Sequence, residues 1–142
     1  MLIVTLLRAK GDAVVTVSPS ATVRELLDTL AEHRIGAVVV CSDEEIAGIV
    51  SERDVVRHLR GGAQLLDQPV SDIMTTDVVT CRGETAVDEL MTTMTERRIR
   101  HVPVVDDAGA LVGIVSIGDL VKSRISELVS ERDDLVGYIG AR

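Results

Sequence analysis

Apolar positions in this chain fall into two kinds of run. Val23, Leu26, Leu27 and Leu30 recur at i, i+3, i+4 and i+7, a spacing that lines one face of an α-helix. Thr22 just before them, with Glu25 three positions later, predicts a capping box where that helix starts. Ala37 to Cys41 and Ile46 to Val50 are instead unbroken apolar runs, short enough for buried strands, and an acidic turn separates them. A short strand from Val14 to Val17 precedes the helix and ends at Ser18-Pro19-Ser20. A second helix from about Ser51 to Leu59 closes the unit, and Leu2 to Leu7 predicts a short helix leading into it.

The same plan then returns. Val14-Val15-Thr16 recurs 64 positions on as Val78-Val79-Thr80, and Arg34-Ile35 recurs as Arg98-Ile99. Of the 27 positions from 14 to 40, 12 are identical to their counterparts, among them Val23, Glu25 and Leu26 (Val87, Glu89 and Leu90). After Val40 the offset grows by one. The turn Asp106-Asp107-Ala108-Gly109 is one residue longer than Ser42-Asp43-Glu44, so Gly48-Ile49-Val50-Ser51-x-x-Asp54 lands on Gly113-Ile114-Val115-Ser116-x-x-Asp119. A length change confined to a turn is what a true duplication tolerates.

The second copy predicts a strand near Val78 and a helix carrying Val87, Leu90, Met91 and Met94. Strands from His101 to Val105 and from Leu111 to Val115 follow. Its closing helix is longer, over about 118–138, with an apolar stripe of Leu120, Val121, Ile125, Leu128, Val129, Leu135 and Ile139. The expected organisation is a lead-in at 1–12, a first repeat at 13–60, a linker at 61–72 ending in a helical turn around 70–74, a second repeat at 73–122 and a helical extension at 123–142. The fold class is mixed α/β (α+β), two β-α-β-β-α units. One such unit cannot bury its own sheet face; two packed sheet to sheet with pseudo-two-fold symmetry can.

Composition narrows the function classes. The 142 residues suffice for one compact domain, and 46% of them are hydrophobic, with one Tyr and no Trp or Phe. A net charge of −8 argues against nucleic-acid binding, which needs a basic surface to release counterions, and the missing aromatics remove base-stacking platforms. No apolar run is long enough for a membrane span, and the first ten residues do not make a secretory signal. Cys41 and Cys81 stand apart, without metal-ligand spacing, and read as small core residues. His33 and His58 fall at predicted helix ends. The expectation is a cytoplasmic, acidic, soluble protein.

The duplicated strand order and the Gly-Ile-Val-Ser-x-x-Asp ending come with two further strings, Asp-Ile-Met-Thr at 72–75 and Arg-His-Val-Pro-Val-Val-Asp at 100–106. Together they resemble a tandem pair of cystathionine β-synthase (CBS) domains of the free-standing bacterial and archaeal type, over about residues 10–122. The resemblance implies a regulatory module that is not an enzyme. It implies two clefts between the repeats for an adenosine-containing ligand, AMP first, with ADP, ATP, NAD or S-adenosylmethionine as others, and no covalent cofactor or metal. It also implies assembly as a homodimer that signals to an effector protein.

The chemistry of the residues suits that role. An ionised Asp only accepts hydrogen bonds, so Asp54 and Asp119 are natural clamps for the two hydroxyls of a ribose. Ser51 and Ser116 sit where a strand gives way to a helix, where a hydroxyl and free N–H groups can receive a phosphate. The family pattern places the base on aliphatic side chains and nominates, for the second cleft, Ile73, Thr76, Val78, Ile99, Arg100, His101, Ile114, Ser116 and Asp119. For the first cleft it nominates Asp12, Val14, Ile35, Gly36, Ala37, Ile49, Ser51, Arg53 and Asp54. Arg100 and His101 offer charge to a phosphate where the first copy has only Gly36 and Ala37, so the clefts are expected to be unequal, with the Asp119 cleft the tighter. Arg97 and Arg98 read as cations at a helix C-terminus. The plainer account of each Ser-x-x-Asp is a helix cap, worth about 0.5–2 kcal/mol. The matching alternative function is a dimeric interaction scaffold with vestigial clefts.

Overall fold

The structure, a computed structural model, describes residues 1–11 and 13–140. Helix α1 (Ile3–Lys10) is followed by β1 (Thr16–Val17), α2 (Val23–His33), β2 (Ala37–Ser42), β3 (Glu45–Ser51) and α3 (Glu52–His58). Three short 3-10 turns fill the linker at Leu59–Gly61, Ala63–Asp67 and Val70–Asp72. The second copy comprises β4 (Cys81–Arg82), α4 (Val87–Arg97), β5 (His101–Val105), β6 (Leu111–Ser116) and α5 (Ile117–Gly140). The capping box at Thr22 is present: its hydroxyl accepts the Glu25 N–H, and the Glu25 carboxylate accepts the Thr22 N–H.

The duplication extends to register. β1 runs parallel to β2 with Val17 opposite Val40, and β4 runs parallel to β5 with Cys81 opposite Val104. β2 and β3 are antiparallel with Val38 opposite Val50 and Val39 opposite Ile49; β5 and β6 repeat this with Val102 opposite Val115 and Pro103 opposite Ile114. Even the irregularity recurs, between Val40 and Cys41 and between Val104 and Val105. Each three-stranded sheet carries one core under its helices, with Val38, Val40 and Val50 in the first and Val102, Val104 and Val115 in the second.

Helix α1 forms where Leu2 to Leu7 predict one, but the segments ahead of the repeats cross over in their packing. Ile3, Leu6 and Leu7 of α1 are buried in the core of the second repeat, and the Ile3 N–H donates to the Thr85 carbonyl. Reciprocally, Leu65, Val70 and Ile73 of the linker are buried in the core of the first repeat, and the Val70 N–H donates to the Ala21 carbonyl. The cause is the unit's own incompleteness: a three-stranded sheet with two helices leaves one flank open, and the crossing segment covers it.

Two strands are shorter than the pattern predicted. Val14 and Val15 precede β1, and Val78 to Thr80 precede β4. Thr75 instead bridges across to Ile49, so 76–80 spans the distance from one sheet to the other rather than pairing along an edge. Helix α5 runs on to Gly140 with Leu120 buried, while Ile125, Leu128, Val129, Leu135, Val136 and Ile139 are exposed. Among the described residues no helix is long and apolar enough to cross a membrane.

Candidate functional site

Both Ser-x-x-Asp pairs are capping boxes. Ser51 ends β3 in extended conformation, its hydroxyl accepts the Asp54 N–H at 3.4 Å, and Asp54 Oδ2 accepts the Ser51 N–H at 2.9 Å. At the second copy the Asp119 N–H reaches Ser116 Oγ at 3.1 Å and the Ser116 N–H reaches Asp119 Oδ2 at 2.9 Å. Capping therefore uses one carboxylate oxygen of each Asp and leaves acceptor capacity on the other. The two roles are compatible.

What separates the copies is what faces each carboxylate. In front of Asp54 lies a cavity of about 500 Å³, formed by Gly36, Ala37, Ile49 and 51–54 from the first repeat together with Thr75, Val78, Val79 and 98–101 from the other side. Arg53, Arg57, Arg98 and Arg100 bring positive charge to it, against Glu52, Asp54 and Asp77, and His101 adds an imidazole. A basic pocket on a chain of net charge −8 is a local reversal of sign that draws an anion. A smaller space of about 230 Å³, lined by Arg53, Arg98, Ile99, Arg100 and Met94 among others, lies beside it.

Gly36 lies where the two repeats meet. A Cβ at Gly36 would lie 3.1 Å from Glu52 Oε1 and 3.7 Å from His101 Cε1. Burial pulls the His101 imidazole below its ordinary value, helped by the Lys10 charge and opposed by Asp119 and Glu52. His101 therefore sits within the field of both clefts.

Asp119 has a different environment. Its Oδ2 accepts the Lys10 ammonium at 2.6 Å, and the same ammonium donates to the Ile114 carbonyl at 2.8 Å. Burial works to raise the Asp119 carboxyl, but the Lys10 ammonium and the Ser116 bonds outweigh it and hold the group below its ordinary value.

The nominated residues are thus regrouped. Val78, Ile99, Arg100 and His101, expected beside Asp119, line the Asp54 cavity with Gly36, Ala37, Ile49, Ser51 and Arg53. They move because the segment before the second repeat bridges to Ile49 of the first. Ile73 is core of the first repeat, 4% exposed, rather than cleft lining. Thr76 is exposed, and Ile35 packs partly buried against the first core. Val14 is half-buried, and neither it nor Thr76 lines the cavity. Asp12 lies outside the described residues. Ile114, Ser116 and Asp119 stay together at the Lys10 contact.

Sequence reasoning passed over Thr75, Asp77, Arg57 and Arg98 as lining residues. For Arg98 a signal existed. Arg34 and Arg98 both take left-handed backbone, φ 54° and 55°, a conformation uncommon for Arg, and the repeated Arg-Ile pair marks it in both copies.

The sequence model of the CBS domain matches residues 11–61 and again 70–126. The chain belongs to the CBS domain family. The CBS pair is 39% identical over 124 residues to the CBS domain-containing protein CBSX3, mitochondrial, of Arabidopsis thaliana, covering 83% of this chain and 60% of that protein. The chain thus spans less than two thirds of that relative's length. Among solved structures, the CBS-domain containing protein ATU1752 from Agrobacterium tumefaciens is 48% identical with a TM-score of 0.85, covering 87% of this chain and 99% of that one. The CBS domain pair of protein MJ0100, solved with 5-methylthioadenosine and S-adenosyl-L-methionine, is 25% identical with a TM-score of 0.77 over 86% of this chain and 98% of that one. CBSX2, solved with AMP, is 26% identical with a TM-score of 0.68 over 80% of this chain and 88% of that one.

Proposed function

We propose that this CBS pair is a regulatory module that takes an adenosine nucleotide in the cavity beside Asp54. The observation that carries the reading is the coincidence, in one space of about 500 Å³, of an acceptor carboxylate, an aliphatic wall and a basic cluster. That volume is typical of small-molecule sites. Asp54 takes the ribose hydroxyls. Ile49, Val78 and Ile99 flank the base, and Arg53, Arg100 and His101 meet the phosphates. AMP, ADP, ATP and NAD share these features. S-adenosylmethionine carries a sulfonium cation into a pocket that already holds several, and is the poorer fit. Relatives solved with AMP and with S-adenosyl-L-methionine support the adenosine class. We take the module to act in the cytoplasm as a sensor without catalytic activity.

The exposed apolar positions of α5 favour a second role alongside the first. Packed against the same helix of another copy, they form a homodimer whose shape responds to the cleft, and an effector protein reads that response. Such signalling requires different ligand affinities in the two shapes. Thermal unfolding of nucleotide-free protein with AMP, ADP, ATP, NAD and S-adenosylmethionine tests the reading. A ligand at 100 times its Kd adds about 2.7 kcal/mol of stability. Absence of a shift with all five leaves the dimeric scaffold as the better account.

A further inference from the structure

The two crossing segments do equivalent work but end differently. Leu7 rests over Gly113 as Met74 rests over Gly48: a Cβ added at either glycine would meet that side chain at 2.8 Å and 2.7 Å respectively. Past Met74 the chain becomes extended, and Thr75 exchanges two backbone bonds with Ile49, at 2.8 and 3.0 Å. Past Leu7 the chain keeps turning as α1, out to Lys10. There the Ile114 carbonyl, counterpart of the Ile49 carbonyl, accepts the Lys10 ammonium instead.

The same ammonium lies on Asp119, so this carboxylate answers both to Ser116 and to a cation of its own chain. Asp54 has no ion-pair partner among the described residues. We propose that Lys10 is an internal occupant of the Asp119 cleft, and that the chain takes one adenosine ligand in place of the two its duplicated motifs offer. The proposal rests on the reading of Asp54 as the ribose clamp. A ribose approaching Asp119 must offer hydroxyls where an ammonium already donates. Both kinds of bond end on an ionised acceptor, but the ammonium also brings a full positive charge to the carboxylate, so a neutral hydroxyl loses that exchange. A second acceptor, the Ile114 carbonyl, anchors the ammonium in place.

Titration calorimetry of the full chain with AMP and with ATP tests this on the wild type, Lys10→Ala and Lys10→Met, the last keeping much of the aliphatic stem in case the alanine variant folds poorly. The expected stoichiometry is one ligand per chain in the wild type and two in either variant. The added site should strengthen by roughly tenfold to a hundredfold when Lys10 is removed. It should vanish in Lys10→Met/Asp119→Ala. Two ligands per wild-type chain, an unchanged single site in Lys10→Met, or a weakened single site there would each overturn the proposal. A wild type that binds neither ligand would defeat the nucleotide reading itself. The Lys10 contact is then judged by NMR titration of Asp119, whose carboxyl should rise toward its ordinary range in Lys10→Met. An unmoved value would show that Lys10 does not hold it.

Discussion

Replacing Asp54 by Ala separates the two roles assigned to this side chain. In the helix it supplies one half of a capping box: Oδ2 accepts the Ser51 N–H at 2.9 Å and the Ser51 hydroxyl at 3.1 Å. The other half, the Ser51 hydroxyl accepting the N–H of residue 54, survives the substitution because that donor is backbone. The stability loss should therefore be about 1 kcal/mol. For a chain of 142 residues this lowers Tm by about 2–4 °C. As a ribose clamp, Asp54 accepts two hydroxyl bonds as a charged acceptor, each worth about 1.5–3 kcal/mol. Their loss weakens binding by about a hundredfold or more.

Asp54→Asn sits between these limits. Its amide oxygen still caps the helix, so Tm should scarcely move, while the uncharged acceptor weakens binding about tenfold. Calorimetric titration with AMP and ATP reads the affinity. Thermal denaturation with an external dye reads the stability, since the chain has no Trp. An Asp54→Ala protein that loses the expected degrees but binds nucleotide within twofold of wild type would refute the clamp and leave only the cap.

Other expectations follow from single contacts. Gly48→Ala puts a Cβ 2.8 Å from the Thr75 carbonyl oxygen, which is backbone and cannot step aside, so urea denaturation should show a loss of about 1–3 kcal/mol. Gly113→Ala meets the tip of Leu7, a flexible side chain, and should cost less. His101 is held below its ordinary 6.5 by burial, so the unfolded chain takes up the proton first as pH falls. Stability should therefore decline from about pH 6.5 downward through the folded value, and His101→Gln should flatten that slope. Phosphate beside the imidazole reverses its shift, so nucleotide affinity should rise between pH 7.5 and pH 6, measured by calorimetry. Burial pushes the Cys81 thiol up to about 11, and it should resist thiol reagents at pH 8 until the protein unfolds.

The sequence carried much of this fold because its information is local. The i, i+3, i+4 pattern of α2, its Thr22–Glu25 box and the two apolar runs each state their own conformation, and the repeat states it again. The repeat offset of 64, growing to 65 after the longer turn, is mirrored in the strands, since the one-residue difference between the two turns leaves both pairings intact. What remained hidden was long-range. Nothing in Ile3-Val4-Thr5-Leu6-Leu7 records that it covers the sheet of the distant repeat, because any apolar flank attracts it equally. Ile73 sits within a recognisable motif, yet its burial in the first core is decided by the crossing of the chain. For the same reason Val78, Ile99, Arg100 and His101 line the cavity in front of Asp54, whereas the family pattern sets them beside Asp119. Motif spacing fixes which residues flank a helix start, whereas the facing wall arrives from the other repeat. Lys10 could be read only in three dimensions.

The crossing also orders events during synthesis. When residues up to 60 have left the ribosome, the three strands of the first sheet are present but its open flank has no cover, and α1 has no sheet to rest on. The first core closes once Leu65, Val70 and Ile73 emerge. Helix α1 must wait longer, until Val102, Val104 and Val115 are made, so its contacts span roughly a hundred residues of chain. Cutting the chain between the repeats would yield two halves, each exposing the apolar side chains that the other half was meant to cover. The two repeats therefore cannot be handed out as separate folding units: the molecule completes both cores together or leaves one of them open.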